Sequence, residues 1–218
     1  MGFQKKLWAY SFNAERGPNY PCPHCKLGSL CLRKDSVKRV GPYHDKSAKL
    51  SDSAFMGMLD CRNCEGSAAV VGYVRRDDFL VPKGIYPAPP IVSVPPATPR
   101  PVVVELDAAF ALFWVDLSSC ANKIRVSLER LLDSLGLPQS PTLAKRIESI
   151  QGADKLQSEV FHALREVGNV GSHGSGVRRD VVLSAFEIYE HQLDILFSPG
   201  NGLRIESLAR RIRATKGK

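Results

Sequence analysis

The sequence predicts an α+β multidomain protein, in which a small β domain precedes an all-helical domain. Three observations support this fold class. Residues 1–81 alternate apolar and polar side chains in a strand-like way and contain two Cys-x-x-Cys pairs, residues 82–101 are rich in proline, and from residue 102 onward the apolar side chains recur every three or four positions. We therefore predict a β domain over 1–81, a linker over 82–101, a helical domain over 102–202 and a basic C-terminal helix and tail over 203–218.

The cysteine spacing is the strongest local signal in the chain. Two Cys-x-x-Cys pairs can place four thiolates around one tetrahedral Zn²⁺, and four sulfur ligands leave no coordination position for water. Such spacing is typical of a metal site rather than of a disulfide framework. The pattern resembles a zinc ribbon and predicts a structural Zn²⁺ bound by Cys22, Cys25, Cys61 and Cys64. His24 and Cys31 are alternative ligands, although we expect His24 to face solvent and Cys31 to be a small buried residue.

The positive charge lies at the two ends of the chain. The formal net charge is +8. Residues 1–83 contain 14 Lys and Arg against 8 Asp and Glu, and residues 203–218 contain 6 against 1, whereas residues 102–202 contain 9 against 13. Any attraction to nucleic acid is therefore expected first from the two ends rather than from the helical domain.

Two basic segments are candidates for such contacts. Residues 33–40 alternate charged and apolar side chains, so they could lie along a phosphate backbone, or their Lys and Arg side chains could protect an edge strand from unwanted pairing. The basic C-terminal segment could contact phosphates or be a solvated end of the chain. The candidate nucleic-acid-binding residues are Arg33, Lys34, Lys38, Arg39, Arg210, Arg211 and Arg213.

The proline-rich linker leads into a series of amphipathic helices. Eight prolines between residues 82 and 101 predict an extended polyproline II spacer. After it, Asp116 or Ser118 can cap the second helix and Thr142 a short third helix. The fourth helix should end near Gly168, because glycine readily takes the left-handed conformation that ends a helix. The fifth helix, over 178–197, has a wide apolar face, which predicts burial on more than one side and a homodimer contact through the helical domain.

Three segments of the helical domain carry a resemblance to a known family. They are VELDAA at 104–109, IRVSLERLL at 124–132 and LREVGNVGSH at 164–173. Residues 101–197 resemble a prokaryotic helical domain family of uncharacterised function, which is found in restriction and phage-defence proteins and is grouped with the HEPN superfamily. The resemblance implies an all-α, HEPN-like helical bundle that dimerises.

The same resemblance implies a candidate catalytic site. HEPN ribonucleases use an Arg and a His to cleave RNA without a metal. In this sequence those positions correspond to Arg165 and His173, with His173 as the base and Arg165 as the cation that stabilises the developing phosphorane charge. Asn169 would orient the phosphate, and Arg125 and Glu129 would support the site from the neighbouring helix.

Two functions remain open at this point. In the first, the protein is a non-catalytic binding or adaptor module of a bacterial or phage defence system, whose partner is RNA, DNA or a larger defence enzyme. Arg165 then pairs with Glu129 or Glu166, Asn169 caps its helix, and His173 bonds a backbone carbonyl. In the alternative, Arg165 and His173 form a metal-independent ribonuclease. The acidic helical domain and the adjacent Glu166, which would repel phosphate, favour the first function.

The composition predicts a soluble, cytoplasmic protein without a membrane partner. No apolar run approaches the roughly twenty residues that span a bilayer, and the N-terminal lysines are not followed by an apolar segment. Reduced cysteines that bind a metal fit the same location.

Overall fold

A computed structural model describes residues 3–42, 53–75, 78–150, 155–172 and 176–198, together with Arg210 and Arg213. A curled antiparallel β half-barrel is followed by a helical region, as the α+β prediction requires. In these described residues, no helix combines the length and the hydropathy needed to cross a bilayer.

The β half-barrel is a single six-stranded sheet. Its strands follow the order β1-β6-β5-β4-β3-β2, and each pair of neighbours is antiparallel. Inward-facing side chains at alternate positions, such as Phe55 and Leu59, are buried. A 3-10 helix, Lys5–Trp8, precedes the sheet. The strands are β1 (Phe12–Asn13), β2 (Tyr20–Pro21), β3 (Ser29–Pro42), β4 (Ser53–Cys61), β5 (Ser67–Val74) and β6 (Phe79–Tyr86).

The long strand β3 is an edge strand over most of its length. β2 pairs only with Ser29 and Leu30, so beyond them β3 has β4 as its strand neighbour among the described residues. The β3–β4 register shifts between Arg33 and Lys38, where β3 carries extra residues. Within this irregularity the Ser36 hydroxyl donates to the Arg33 carbonyl at 2.6 Å. The bulge and the charged side chains both discourage another strand from pairing at this edge.

The first part of the proline-rich segment differs from the extended spacer that its composition predicts. Residues 82–86 belong to β6, and Pro82 is opposite Gly72 at a register shift, where a strand tolerates a residue without an N–H. Farther on, Ile91 and Val92 are each 3% exposed and join the hydrophobic core. The spacing of the prolines therefore did not predict the strand pairing of residues 82–86 or the burial of Ile91 and Val92.

The helical region follows the predicted order. Asp116 accepts a hydrogen bond from the Ser118 N–H at 2.9 Å, and Thr142 accepts one from the Lys145 N–H at 3.2 Å, so both predicted caps are confirmed. The helices are α1 (Arg100–Val115), α2 (Leu117–Ser134), α3 (Leu143–Glu148), α4 (Lys155–Ser172) and α5 (Arg179–Phe197).

The predicted end of α4 near Gly168 is wrong, because the helix continues to Ser172. A Cβ atom built on Gly168 would lie 2.4 Å from the Arg125 Cβ atom, and one on Gly171 would lie 2.5 Å from the Ser118 carbonyl oxygen. Both glycines therefore allow α4 to approach α2 closely. Their role is helix packing rather than helix termination, and Asn169 consequently lies inside the helix instead of capping it.

An aromatic cluster joins the sheet to the helices. Trp8 stacks on Tyr20 with ring centroids 5.3 Å apart, and Tyr20 meets Trp114 of α1 at 5.1 Å. The Arg179 guanidinium lies 4.0 Å from the centre of the Phe113 ring, and its Nε donates to the Trp8 carbonyl at 3.1 Å. Both parts of the chain thus contribute to one hydrophobic core. The predicted domain boundaries stay a prediction, but the sheet and the helices are in direct contact.

Candidate functional site

The four predicted cysteine ligands lie together at one end of the sheet. Their sulfur atoms are all within 4.8 Å of one another, and no disulfide links them. Cys22 and Cys64 have their Sγ atoms 3.7 Å apart, as do Cys25 and Cys61. Zn–S bonds of about 2.3 Å in a tetrahedron require sulfur atoms about 3.8 Å apart. The cluster therefore has the dimensions of a metal site.

Each Cys-x-x-Cys pair forms a similar turn. The Cys22 N–H donates to the Gly28 carbonyl at 2.9 Å, and the Cys61 N–H donates to the Gly66 carbonyl at the same distance. The residue after each second cysteine has a left-handed backbone, with φ of 58° at Lys26 and 59° at Glu65. This conformation bends each turn back on itself. The two segments thus meet the sulfur cluster from opposite sides with matching geometry.

Backbone amides point at the sulfurs from within these turns. The His24 N–H lies 3.4 Å from the Cys22 Sγ, the Gly28 N–H lies 3.4 Å from the Cys25 Sγ, and the Asn63 N–H lies 3.3 Å from the Cys61 Sγ. Such bonds stabilise thiolates. Hydrogen bonds of this kind orient cysteine side chains that bind a metal.

The alternative ligands have other roles. The His24 ring donates through Nε2 to the Ser67 carbonyl at 2.9 Å and lies against Gly66, so it connects the two turns and lies outside the four-sulfur cluster. Cys31 is 3.6 Å from the Asn19 Oδ1 atom and lies outside the cluster. The sulfur set is therefore limited to the four predicted residues.

Hydrogen bonds from backbone amides lower the pKa values of the cluster thiols, whereas desolvation raises them. A hydrogen bond from the Gly28 N–H lowers the pKa of Cys25 to about 6. The Gly66 N–H acts in the same direction on Cys64, but desolvation and the neighbouring sulfurs raise the pKa of Cys64 to about 12. Four thiolates at this spacing repel one another, and a divalent cation at their centre removes that repulsion.

The predicted basic residues on β3 are largely ion-paired. Arg33 binds Asp60 through two bonds of 2.6 and 2.9 Å. The Lys34 ammonium lies 2.6 Å from the Glu15 carboxylate, and Arg39 lies 2.7 Å from the Asp78 carboxylate. Of the four residues, Lys38 has no ion pair within the part of the chain that the structure describes. The Lys34–Glu15 and Arg39–Asp78 pairs are exposed, so solvent weakens them, whereas the two-bond Arg33–Asp60 pair is the strongest of the three.

The register of the sheet adds apolar side chains that the sequence analysis missed. Cross-strand partners share a face, and the outer face is opposite the buried core. Met56 and Val71 are each 48% exposed there, and Tyr86 is 81% exposed. One row consists of Arg33, Met58, Ala69 and Tyr86, and the next consists of Lys38, Met56, Val71 and Gly84. The run from Phe55 to Leu59, which is apolar on both faces of β4, was the available signal.

In the helical candidate site, the two arginines are paired with glutamate side chains of their own helices. The Arg125 guanidinium lies 3.0 Å from Glu129 on the next turn of α2, so Glu129 pairs with Arg125 rather than with Arg165. Arg165 forms an ion pair with the adjacent Glu166. Yet the Nε atoms of both arginines are buried and have no hydrogen-bond acceptor among the described residues. Both arginines therefore have paired charges but incompletely used donors, and Arg125 packs directly against Gly168 of α4.

Several predicted residues cannot be compared in this way. His173 and Arg211 lie outside the described residues. Arg210 and Arg213 are helical and exposed. The structure thus brings the four cysteines together and leaves the relation of Arg165 to His173 a prediction.

The protein combines an antiparallel sheet that carries a four-cysteine cluster with a helical region packed against it. Residues 107–215, half of the chain, match the family described as "Domain of unknown function (DUF4145)". The chain therefore belongs to this family. No curated protein and no solved structure matches it.

Proposed function

We propose that the protein is a zinc-stabilised, non-catalytic nucleic-acid-binding module. From the resemblance alone, we further propose that it acts as an adaptor in a bacterial or phage defence system, in the cytoplasm. The observation that carries the binding function is the outer face of the sheet, where each of two adjacent rows has a basic side chain on β3 and mostly apolar residues on β4, β5 and β6.

The four-cysteine cluster supports zinc as the metal. Its sulfur spacing fits tetrahedral Zn²⁺, and four thiolates suit zinc better than the oxygen-preferring Mg²⁺ or Ca²⁺. Bound zinc would cross-link the turn before β3 to the turn after β4, so that both ends of this hairpin are held at the cluster. With four sulfur ligands, its role is structural.

The outer face supports single-stranded nucleic acid as the ligand. Bases stack on exposed aromatic and apolar side chains, while phosphates bind Lys and Arg at the edge. Tyr86 and Met58 lie in the same row as Arg33, and Met56 lies beside Lys38. A flat or curled sheet can bind an extended strand in this way without reading a duplex groove.

The experiment is a titration of a fluorescent single-stranded RNA oligonucleotide over a series of salt concentrations. The change Lys38→Glu should weaken binding severalfold and reduce the slope of log K against log salt by about one or more. Lys155→Glu on α4, which is also exposed, is the charge-matched control and should leave the affinity within twofold. Equal affinity of Lys38→Glu and the unmodified protein would contradict the proposal.

A second test addresses stacking on the same face. Tyr86→Ala should weaken RNA binding by about 1–3 kcal/mol, the typical contribution of one stacked base. Tyr86→Phe keeps the ring and should retain most of the affinity. If both variants bind alike, the ring is not a stacking surface.

A ribonuclease remains a second candidate because of the buried, unpaired Nε atoms of Arg125 and Arg165. A phosphate at the Gly168 crossing would supply acceptors for them. We expect His173→Ala and Arg165→Ala to abolish any RNA cleavage seen in the presence of a chelator, whereas Arg178→Ala, an exposed arginine paired with Asp180, should not. Cleavage by His173→Ala at the original rate would exclude this function.

We also propose a homodimer that forms through α5. Val181 is 38% exposed and Ile195 is 49% exposed, and they lie two heptads apart on one side of the helix. Light scattering should show a dimer that Ile195→Glu converts to a monomer, and a monomeric parent protein would contradict this.

A further inference from the structure

A cavity of about 700 Å³ lies where the first cysteine turn meets the helices. Its walls come from four parts of the chain: the N-terminal 3-10 helix, the turn at Pro21 and Pro23, the segment that follows β6, and α1 with α5. This volume is typical of pockets that enclose a small molecule, and junctions between packed units are frequent places for them.

The walls are mostly apolar. Trp8, Leu7, Ile91 and Phe110 line the cavity together with several prolines. Prolines and aromatic rings are stiff, so this surface is largely pre-formed and loses little entropy when a ligand binds. An apolar or aromatic group would therefore find a rigid surface here.

The polar groups at the helical wall are carboxylates. Glu190 of α5 accepts a hydrogen bond from the Ser93 N–H at 2.7 Å, which holds its side chain in the cavity wall. Asp107 of α1 lines the same cavity. Burial raises the pKa of Glu190, and this effect outweighs the hydrogen bond from the Ser93 N–H, which lowers the pKa.

Among the described residues, Glu190 forms no ion pair, although Lys26 of the first cysteine turn also lines the cavity. Lys5 of the 3-10 helix contacts α5 at other residues: its ammonium lies 2.8 Å from Glu187 and 3.1 Å from the Ser184 hydroxyl. No Lys or Arg of the described residues forms an ion pair with Glu190. A desolvated carboxylate at the wall of an apolar cavity favours a ligand that brings its own cation.

We propose that this cavity binds a small amine with an apolar or aromatic body, whose ammonium group contacts Glu190 and Asp107 while its body lies against Trp8, Ile91 and Phe110. The cavity shares Tyr86 with the rows of the outer face, but its carboxylates lie on α1 and α5. Amine binding at these carboxylates therefore does not depend on nucleic-acid binding. It gives the protein a place for a small effector or substrate next to the cysteine cluster.

Tryptamine, tryptophol and indoleacetate test the proposal, because they share one indole body and differ in charge. Each is titrated into the isotope-labelled full-length protein, and the Ser93 amide resonance reports on the hydrogen bond to Glu190. We expect tryptamine to bind best and indoleacetate worst. Glu190→Gln should weaken tryptamine binding about tenfold, as expected for loss of a charge-assisted hydrogen bond, and should leave tryptophol unchanged.

Two variants complete the experiment. Glu187→Gln, one turn away on α5 and outside the cavity lining, should preserve the order of the three probes. Ala111→Phe, at an exposed lining position of α1, should fill the cavity and block all three. Equal affinities for the three probes, a preference for the anion, no shift with any probe, or unchanged binding by Ala111→Phe would each overturn the proposal.

Discussion

The four-cysteine cluster and the Arg165 helix crossing differ in how their polar groups are satisfied. At the cluster, backbone amides donate to three of four sulfurs that converge at the spacing of a tetrahedral metal site. At the crossing, Arg125 and Arg165 already have Glu129 and Glu166 as partners. Four converging sulfur ligands indicate a bound ion more directly than arginines that already have carboxylate partners, which is why the metal site is the better-supported of the two.

The largest expected effect tests the cluster. Cys61→Ser removes a buried sulfur ligand, and zinc binding at such sites contributes on the order of 10 kcal/mol to folding. We expect loss of stoichiometric zinc in elemental analysis and loss of the sheet signal in circular dichroism. Cys31→Ser, outside the cluster, is the control and should keep both. A Cys61→Ser protein that retains one zinc per chain would show that this sulfur is not a ligand.

The next effect concerns the contact between the two regions. Arg179→Met removes the cation from the Phe113 and Trp114 rings and the hydrogen bond to the Trp8 carbonyl. We expect a loss of about 2–3 kcal/mol in the free energy of unfolding. Arg178→Met, at the neighbouring exposed position, should cost less than about 0.5 kcal/mol. Equal costs in urea unfolding would mean that Arg179 does not connect the sheet to the helices.

A smaller effect is expected at the helix crossing. Gly168→Ala introduces a methyl group 2.4 Å from the Arg125 Cβ atom. Overpacking should outweigh the gain of about 1 kcal/mol in helix propensity and leave a net loss of about 1–2 kcal/mol. Val170→Ala, at a 42% exposed position of the same helix, should be nearly neutral. A more stable Gly168→Ala protein would show that α2 and α4 can move apart without cost.

The smallest expected change in stability is at Glu166, and it tests directly whether Arg165 can bind an anion. Glu166→Gln removes the partner of Arg165 and should change the free energy of unfolding by less than about 0.5 kcal/mol. It should nevertheless strengthen binding of sulfate or RNA to the crossing, because Arg165 keeps its charge. Glu159→Gln, an exposed position two turns earlier in α4, is the control. If the two variants bind anions equally, Arg165 is not part of an anion site.

Features that depend on neighbouring residues in the sequence were predictable. Each Cys-x-x-Cys pair follows from a spacing that forms one turn, and the caps at Asp116 and Thr142 follow from side chains that bond amides two or three residues away. The Arg125–Glu129 pair follows from one helical turn. In each case the interacting groups are held close by local backbone geometry.

Features that depend on distant contacts were not predictable. In the sequence, Gly168 resembled a helix terminus. The structure shows instead that a glycine is needed there because the Arg125 side chain of another helix packs against it. The outer face of Met56, Val71 and Tyr86 requires the register of three strands. Glu190 became a candidate site residue only because the segment around Ser93 closes over α5.

The sequence by itself thus determined the sulfur ligands, the order of the sheet and the helices, and the local helix caps. The tertiary structure alone decided that the sheet and helices share a core, that Arg125 of α2 packs against Gly168 of α4, and that a cavity forms beside the cysteine turn. The physical reason is that spacing along the chain restricts only nearby groups, whereas packing brings together surfaces whose separation in sequence carries no signal.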